Sequence, residues 1–497
     1  MKSVNIMNFA RSFEPRNLDV EKKLAQTTKE QLDLVNELGV EATFLLQYDV
    51  IVNDEFVKII KERAGDNIEL GLWYEIVEPL TSACGMKYES ERGWKWDWYI
   101  KPGFSMSYTL KEREILIDEA MRKFKEVFGY YPRSVGSWAI DTYTVNYLDK
   151  NYEIDAFCYC RDQINTDAYT FVGGYFNQAY YPSVNNMFTP AQSFETQVNT
   201  PVFRLLGSDP IHNYDYNKYA SPECQRGPYT MELTYDTAGK NPKIVDWYLE
   251  SYFKNESLNF AYMQIGQENS FAMFDIISPL RMQIEKIKKL KDVKIEKMCD
   301  TGRKFKEKFK ETPPTAVCAL KNWDTPDCQS AWYDSKYYTA NIMRYNEKTF
   351  IRAFYLFDDR IQDYYTSTPC STFDAVYENL PIVDTAYQKG ETDGGLGMIL
   401  DECATVFNAA KNGDKELTIS WGNKKVTFKE DRIYLENCKV SFTPYMFNTK
   451  IQTNVNLLSY EYKGTKYSLK IEGGCFTCDG DTISASAEKM TLIPTKH

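Results

Sequence analysis

Histidine is almost missing from this 497-residue chain: there are two, His212 and His497. A Ser-His-Asp triad or a multi-histidine metal centre therefore has one interior imidazole to draw on. Long hydrophobic runs are missing too, and no apolar stretch approaches the roughly 20 residues that a membrane helix needs. Basic charge is in deficit, at 59 Lys and Arg against 70 Asp and Glu for a net −11. That balance argues against nucleic acid and anionic membranes as partners, since both select basic surfaces. The 12 cysteines follow no framework, and Cys475-x-x-Cys478 has no second pair near it. The start, Met1-Lys2-Ser3-Val4, carries no apolar leader. Free thiols and a cytoplasmic location are the expectation.

What is present is a series of seven short apolar runs, each stopping at a strongly polar residue. They are Val4–Phe9, Ala42–Tyr48, Ile68–Tyr74, Val135–Ile140, Ala156–Cys160, Val202–Leu206 and Phe260–Ile265. Behind them stand Arg11 with Glu14, then Asp49, Glu75, Asp141, Arg161 with Asp162, Asp209 with His212, and Glu268 with Asn269. Helical segments alternate with the runs. Asp19 to Leu38 is closed by Gly39, and Thr109-Leu-Lys-Glu112 is a capping box opening a helix to Phe128. Asn241-Pro242 opens another helix, and Phe271 to Leu290 reads as the last of the series. This alternation predicts an α/β fold, a distorted (β/α)7 barrel over residues 1–311. In such a barrel the C-terminal strand ends converge on one mouth, where polar residues serve chemistry.

Two connections are far longer than usual, Val77 to Tyr108 and Asp162 to Thr200. Both are rich in rings, including Trp94, Trp96, Trp98 and Tyr99 in the first and Tyr175, Tyr180 and Tyr181 in the second. Such rings offer sugars a stacking face, or else pack the loops together. After Thr312-Pro313-Pro314-Thr315, which reads as a stiff linker, period-two strands dominate. Turn pairs such as Gly422-Asn423 and Lys463-Gly464 join them. Residues 312–497 are expected to form a C-terminal antiparallel β-sandwich with a short helical insertion near 396–412.

The layout resembles the seven-stranded glycoside hydrolase/deacetylase superfamily, bacterial members included. The stretches that carry the resemblance are Asn8–Arg16, Gly71–Ile76, Pro132–Asp141, Gly207–His212 and Gln264–Asn269. It implies cleavage of a glycosidic bond in an oligosaccharide by two carboxylates, with retention favoured over inversion and no cofactor. The nucleophile position after the fourth strand falls on Asp141, and the acid/base position after the seventh on Glu268. Glu75 is the alternative acid/base, or else a buried partner of Arg11 or Arg133. Asp141 is equally a helix N-cap before Thr142-Tyr-Thr-Val. Where the deacetylase branch holds its metal, this chain has Arg11, Glu14 and Glu75. Asp209, His212 and Asp215 form the alternative metal set, which would suit a deacetylase or lyase. A non-catalytic sugar-binding protein is the third reading. Arg11, Asp49, Trp73, Trp96, Trp138, Arg161, Asp162, Tyr181, Asp209, His212 and Asn269 are expected to line the substrate hollow. The arginines, with Arg204, either clamp a carboxylated sugar or neutralise the acids.

Overall fold

The computed structural model describes residues 1–159, 172–213, 220–221, 224–225, 231, 240–324, 327–385, 397–444 and 450–497. Seven parallel strands form the N-terminal half. They are β1 (Lys2–Ala10), β2 (Ala42–Leu46), β3 (Ile68–Trp73), β4 (Ser134–Ser137), β5 (Ala156–Tyr159), β6 (Val202–Arg204) and β7 (Ala261–Ile265). Their order is β7-β1-β2-β3-β4-β5-β6. Among the described residues no ladder joins β6 to β7, so the barrel is nearly closed. The expected runs are thus strands, and their near-continuous apolar character follows from burial on both faces.

Helices cover the outside where the sequence carries caps. The main ones are α1 (Leu24–Leu38), α2 (Asp54–Arg63), α3 (Leu110–Phe128), α4 (Thr142–Asn151), α5 (Pro242–Leu249), α6 (Ile277–Ile287) and α7 (Met298–Lys308). Thr109 and Glu112 form the reciprocal capping box, and Gly39 and Gly129 end their helices in the left-handed region at φ 60° and 87°. The helix expected from Phe271 starts later, at Ile277, because Asn269–Phe271 is a single 3-10 turn.

The C-terminal half holds two antiparallel sheets. One runs from Thr315–Ala319 through Gln329–Asp334, Tyr338–Tyr345 and Lys348–Leu356. The other is built on hairpins such as Glu416–Trp421 with Lys424–Lys429, which turns at Gly422. Their inner faces share a core, where the Tyr333 and Phe428 rings stack at 5.6 Å. The short helix expected near 396–412 is replaced by two strands, Met398–Asp401 and Asn408–Asn412. Met398 and Leu400 are buried while Ile399 and Asp401 are half-buried, a period of two that suits a strand.

The segment Thr312–Thr315 is buried rather than free. Tyr181 donates its backbone N–H to Thr312 Oγ1 at 3.0 Å, and Tyr175 OH donates to the Pro313 carbonyl at 2.7 Å. The barrel core continues into Val317, Trp332 and Tyr355 of the first sheet. Phe176 lies flat on Trp332, centroids 4.0 Å apart and planes within 4°.

Candidate active site

Strand register sets what meets at the mouth. Gln47 N–H donates to the Ala10 carbonyl at 3.0 Å, and Phe9 bridges Glu268 in parallel fashion. Gly266, at φ 129°, allows the end of β7 to press on β1, since a Cβ there would collide with the Met7 carbonyl. Residues leaving β1, β2, β3 and β7 are thereby brought together.

Arg11 and Glu268 form a buried ion pair, 2% and 4% exposed. Ser270 Oγ donates to the other carboxylate oxygen of Glu268. Asn269 locks the pair's backbone, accepting from Arg11 N–H at 3.1 Å and donating to the Arg11 carbonyl at 2.9 Å. A buried carboxylate is tolerable only with such partners, here a guanidinium and a hydroxyl.

Glu75 sits beside them, 1% exposed. Its Oε2 accepts from Gln47 Nε2 and from Trp96 Nε1, both at 2.7 Å. Burial pushes its carboxyl up to about 7; the Arg11 charge and the Trp96 N–H pull it down, and the Glu268 charge adds to the rise. Its Oε1 makes no hydrogen bond of normal geometry, and the Trp73 indole N–H, also unmatched, lies near enough to favour the ionised form. Arg11 Nε and Nη1 and Gln47 Oε1 are further buried polar atoms without a partner. Each such group costs about 1–3 kcal/mol when left unmatched.

Trp96 reaches this cluster from the long connection after β3. Its ring lies under the Arg11 guanidinium, 3.9 Å from carbon to centroid, and under that of Arg16 at 4.9 Å. Arg16 is paired with Glu14 at 2.5 Å. Trp73 stacks on Phe9 at 4.1 Å, with Trp138 edge-on to both. These three rings are buried against one another.

Other expected residues have structural partners. Asp141 is 1% exposed and caps α4, accepting from Thr144 N–H at 2.9 Å and Thr144 Oγ1 at 2.7 Å. It also accepts from Arg113 Nη1 at 2.8 Å and Ser105 Oγ at 2.5 Å. Four donors thus meet the carboxylate, the cap being one of its contacts. Asp49 accepts from Ser12 N–H, Ser12 Oγ and Phe13 N–H at 2.7, 2.9 and 3.1 Å, fixing the turn after β1. Burial raises its carboxyl to about 6. Asp209 accepts from the N–H groups of Ile211 and His212, and the His212 ring meets Asn322 Nδ2 at 2.9 Å. Arg204 donates to the Leu206 carbonyl at 3.0 Å. Tyr181 lies away from the acids, its OH on the Phe309 carbonyl at 2.7 Å and its ring on Phe305. Arg161, Asp162 and Asp215 fall outside the described residues. Among the described residues no three His, Cys, Asp or Glu side chains are grouped to hold a metal.

Sequence reasoning missed Gln47, Ser270, Ser105 and Arg113. Gln47 had a usable signal, standing at a strand end like the acids.

No protein-family model and no curated protein matches the chain. Among solved structures, one from Parabacteroides distasonis, described by class as a glycoside hydrolase/deacetylase, superposes with a TM-score of 0.52 at 14% identity. It covers 74% of this chain and 87% of that one. A Mycobacterium smegmatis structure described as a polysaccharide deacetylase reaches 0.36 at 14% identity, over 61% of this chain and 89% of its own. The first likeness is one of fold; the second is too loose to argue from.

Proposed function

Since the chain has the seven-stranded barrel fold of the glycoside hydrolase/deacetylase superfamily, we propose that it hydrolyses a glycosidic bond using Glu75 and Glu268. Glu75 is the acid/base. With its carboxyl raised to about 7, it holds a proton for the leaving oxygen near neutral pH and takes one back from water afterwards. Glu268, paired with Arg11 and accepting from Ser270, is the partner that attacks the anomeric carbon or draws a proton from the attacking water. The observation that carries this reading is the contrast between two neighbouring carboxyls. One sits near neutrality with an unmatched oxygen, and the other is locked in an ion pair. Gln47 and Trp96 align Glu75 through their N–H donors.

The test is a panel of chromogenic aryl glycosides and neutral oligosaccharides, read by chromophore and reducing-end release. The wild-type chain is expected to turn over at least one of them. Glu75→Gln and Glu268→Gln are each expected to lower kcat by about a thousandfold. Turnover that survives both substitutions overturns the assignment, as does a wild-type chain inert to the whole panel.

A further inference from the structure

The turn that follows β1 is built by its own residues. Pro15 suits the second position of a turn over Glu14–Asn17, in which Asn17 N–H donates to the Glu14 carbonyl at 3.1 Å. Asn17 then caps the short helix Leu18–Glu21, its side chain accepting from Asp19 N–H at 3.1 Å and Val20 N–H at 3.2 Å. Arg16 stands between these two devices. Its Nε and Nη2 donate to the two oxygens of Glu14, each at 2.5 Å, and Glu14 is buried. A planar guanidinium forked on a carboxylate has little freedom left. This one lies over two rings of the long connection after β3, Trp96 at 4.9 Å and Trp98 at 5.3 Å.

Trp98 is also held from its own loop, with Arg92 over it at 3.7 Å and Arg92 Nε donating to Asp97 at 3.1 Å. Trp96 is held from the β1 side, by Arg11 and Arg16. Arg11 is bound to Glu268, so its place answers to that acid. Arg16 is bound to Glu14, and its line to Glu75 runs through the indole. An indole N–H points where the ring plane points, so a ring held in place is a donor held in place. A cation over the π face also draws electron density from the ring, which makes the N–H a better donor. That N–H is 2.7 Å from Glu75 Oε2.

We propose that Arg16 is a positioning residue for Glu75, anchored by Glu14 and acting through Trp96. Facing Glu75 itself are Arg11 beyond β1, Glu268 beyond β7 and Tyr88 on the same long connection as Trp96. Donation by Trp96 favours the ionised carboxylate, so loosening the indole raises the Glu75 carboxyl above its value of about 7. The kinetic consequence rests on the proposed hydrolysis; the effect on the Glu75 proton does not.

The experiment takes two readouts on the full chain. One is the pH–rate profile. The other is the Tm difference between each chain and its Glu75→Gln counterpart, which falls as pH rises through the Glu75 titration and levels off above it, with no turnover required. The Arg16 side chain is 38% exposed, so its replacement is expected to leave the chain folded. In Arg16→Met both the alkaline activity limb and the levelling point are expected about half a pH unit above wild type. Arg16→Lys, which keeps the charge, is expected to recover part of the shift, and Glu14→Gln to reproduce part of it. Added to Trp96→Phe, which has no N–H to aim, Arg16→Met is expected to move neither readout further. Readouts unmoved in both Arg16→Met and Glu14→Gln overturn the proposal, and so does a shift of full size in the Trp96→Phe background. A chain that hydrolyses nothing yet shows the Tm shift keeps the role of Arg16 and removes the hydrolytic reading; turnover with both readouts unmoved does the reverse.

Discussion

The Arg11 guanidinium lies over the Trp96 indole, 3.9 Å from its centroid, and each of the two reaches a different glutamate. Arg11 pairs with Glu268, while Trp96 donates its N–H to Glu75 at 2.7 Å. One contact between a strand end and a loop thus ties both acids together.

Replacing Trp96 by Phe keeps the ring and deletes the donor. The N–H stabilises the ionised form of Glu75, so its removal is expected to raise that carboxyl further. The activity limb governed by Glu75 then moves to higher pH, and kcat falls about tenfold. A pH–rate profile of Trp96→Phe against wild type checks this, since a purely structural tryptophan would lower the curve without moving it.

Glu75 also leaves a mark on stability. Its folded-state carboxyl is raised from 4.5 to about 7, so between those values the folded chain binds the proton more tightly than the unfolded one. Stability is therefore lost as pH rises through that window, by at most about 3 kcal/mol from this group. Asp49, raised to about 6, pulls the same way. Melting curves of wild type and Glu75→Gln at several pH values between these limits are expected to show the wild type losing Tm relative to the variant as pH increases. A constant difference overturns the assignment of the shift to Glu75.

Breaking the Arg11–Glu268 pair from one side leaves a buried charge alone. Arg11→Met is expected to destabilise the chain by about 3–5 kcal/mol, and Arg11→Met with Glu268→Gln to recover part of that loss. Urea titration of the single and double variants measures the coupling.

Asp141 separates two roles cleanly. As the cap of α4 and partner of Arg113, its replacement by Asn is expected to cost about 3 kcal/mol while kcat changes less than about threefold. A stable Asp141→Asn protein with no turnover would return the nucleophile to the position that the family resemblance implies.

How far the chain could be read without coordinates follows from the range of the interactions. Strands and caps are local: Thr109 and Glu112 are three residues apart, and the seven apolar runs each carry their own pattern. Glu75 and Glu268 stood out because Glu75 directly follows such a run and Glu268 comes three residues after one. The balance between cap and catalyst at Asp141 depended on Arg113 and Ser105, which sit 28 and 36 residues away and carry no local signature. Tyr181 was grouped with its aromatic neighbours in sequence, yet its partners Phe309 and Thr312 lie about 130 residues on. The strand at Met398–Asp401 was hidden for the same reason, since it is short and its ladder partner lies at Thr349–Ile351.

Gly266 has a consequence for how the mouth tolerates change. With no side chain between β7 and the Met7 carbonyl, the spacing of Glu268 from Arg11 is set by main chain alone. A methyl group here would wedge two backbones apart and carry one acid away from its guanidinium, so a tight constraint on the charged pair lies in a residue that never touches it.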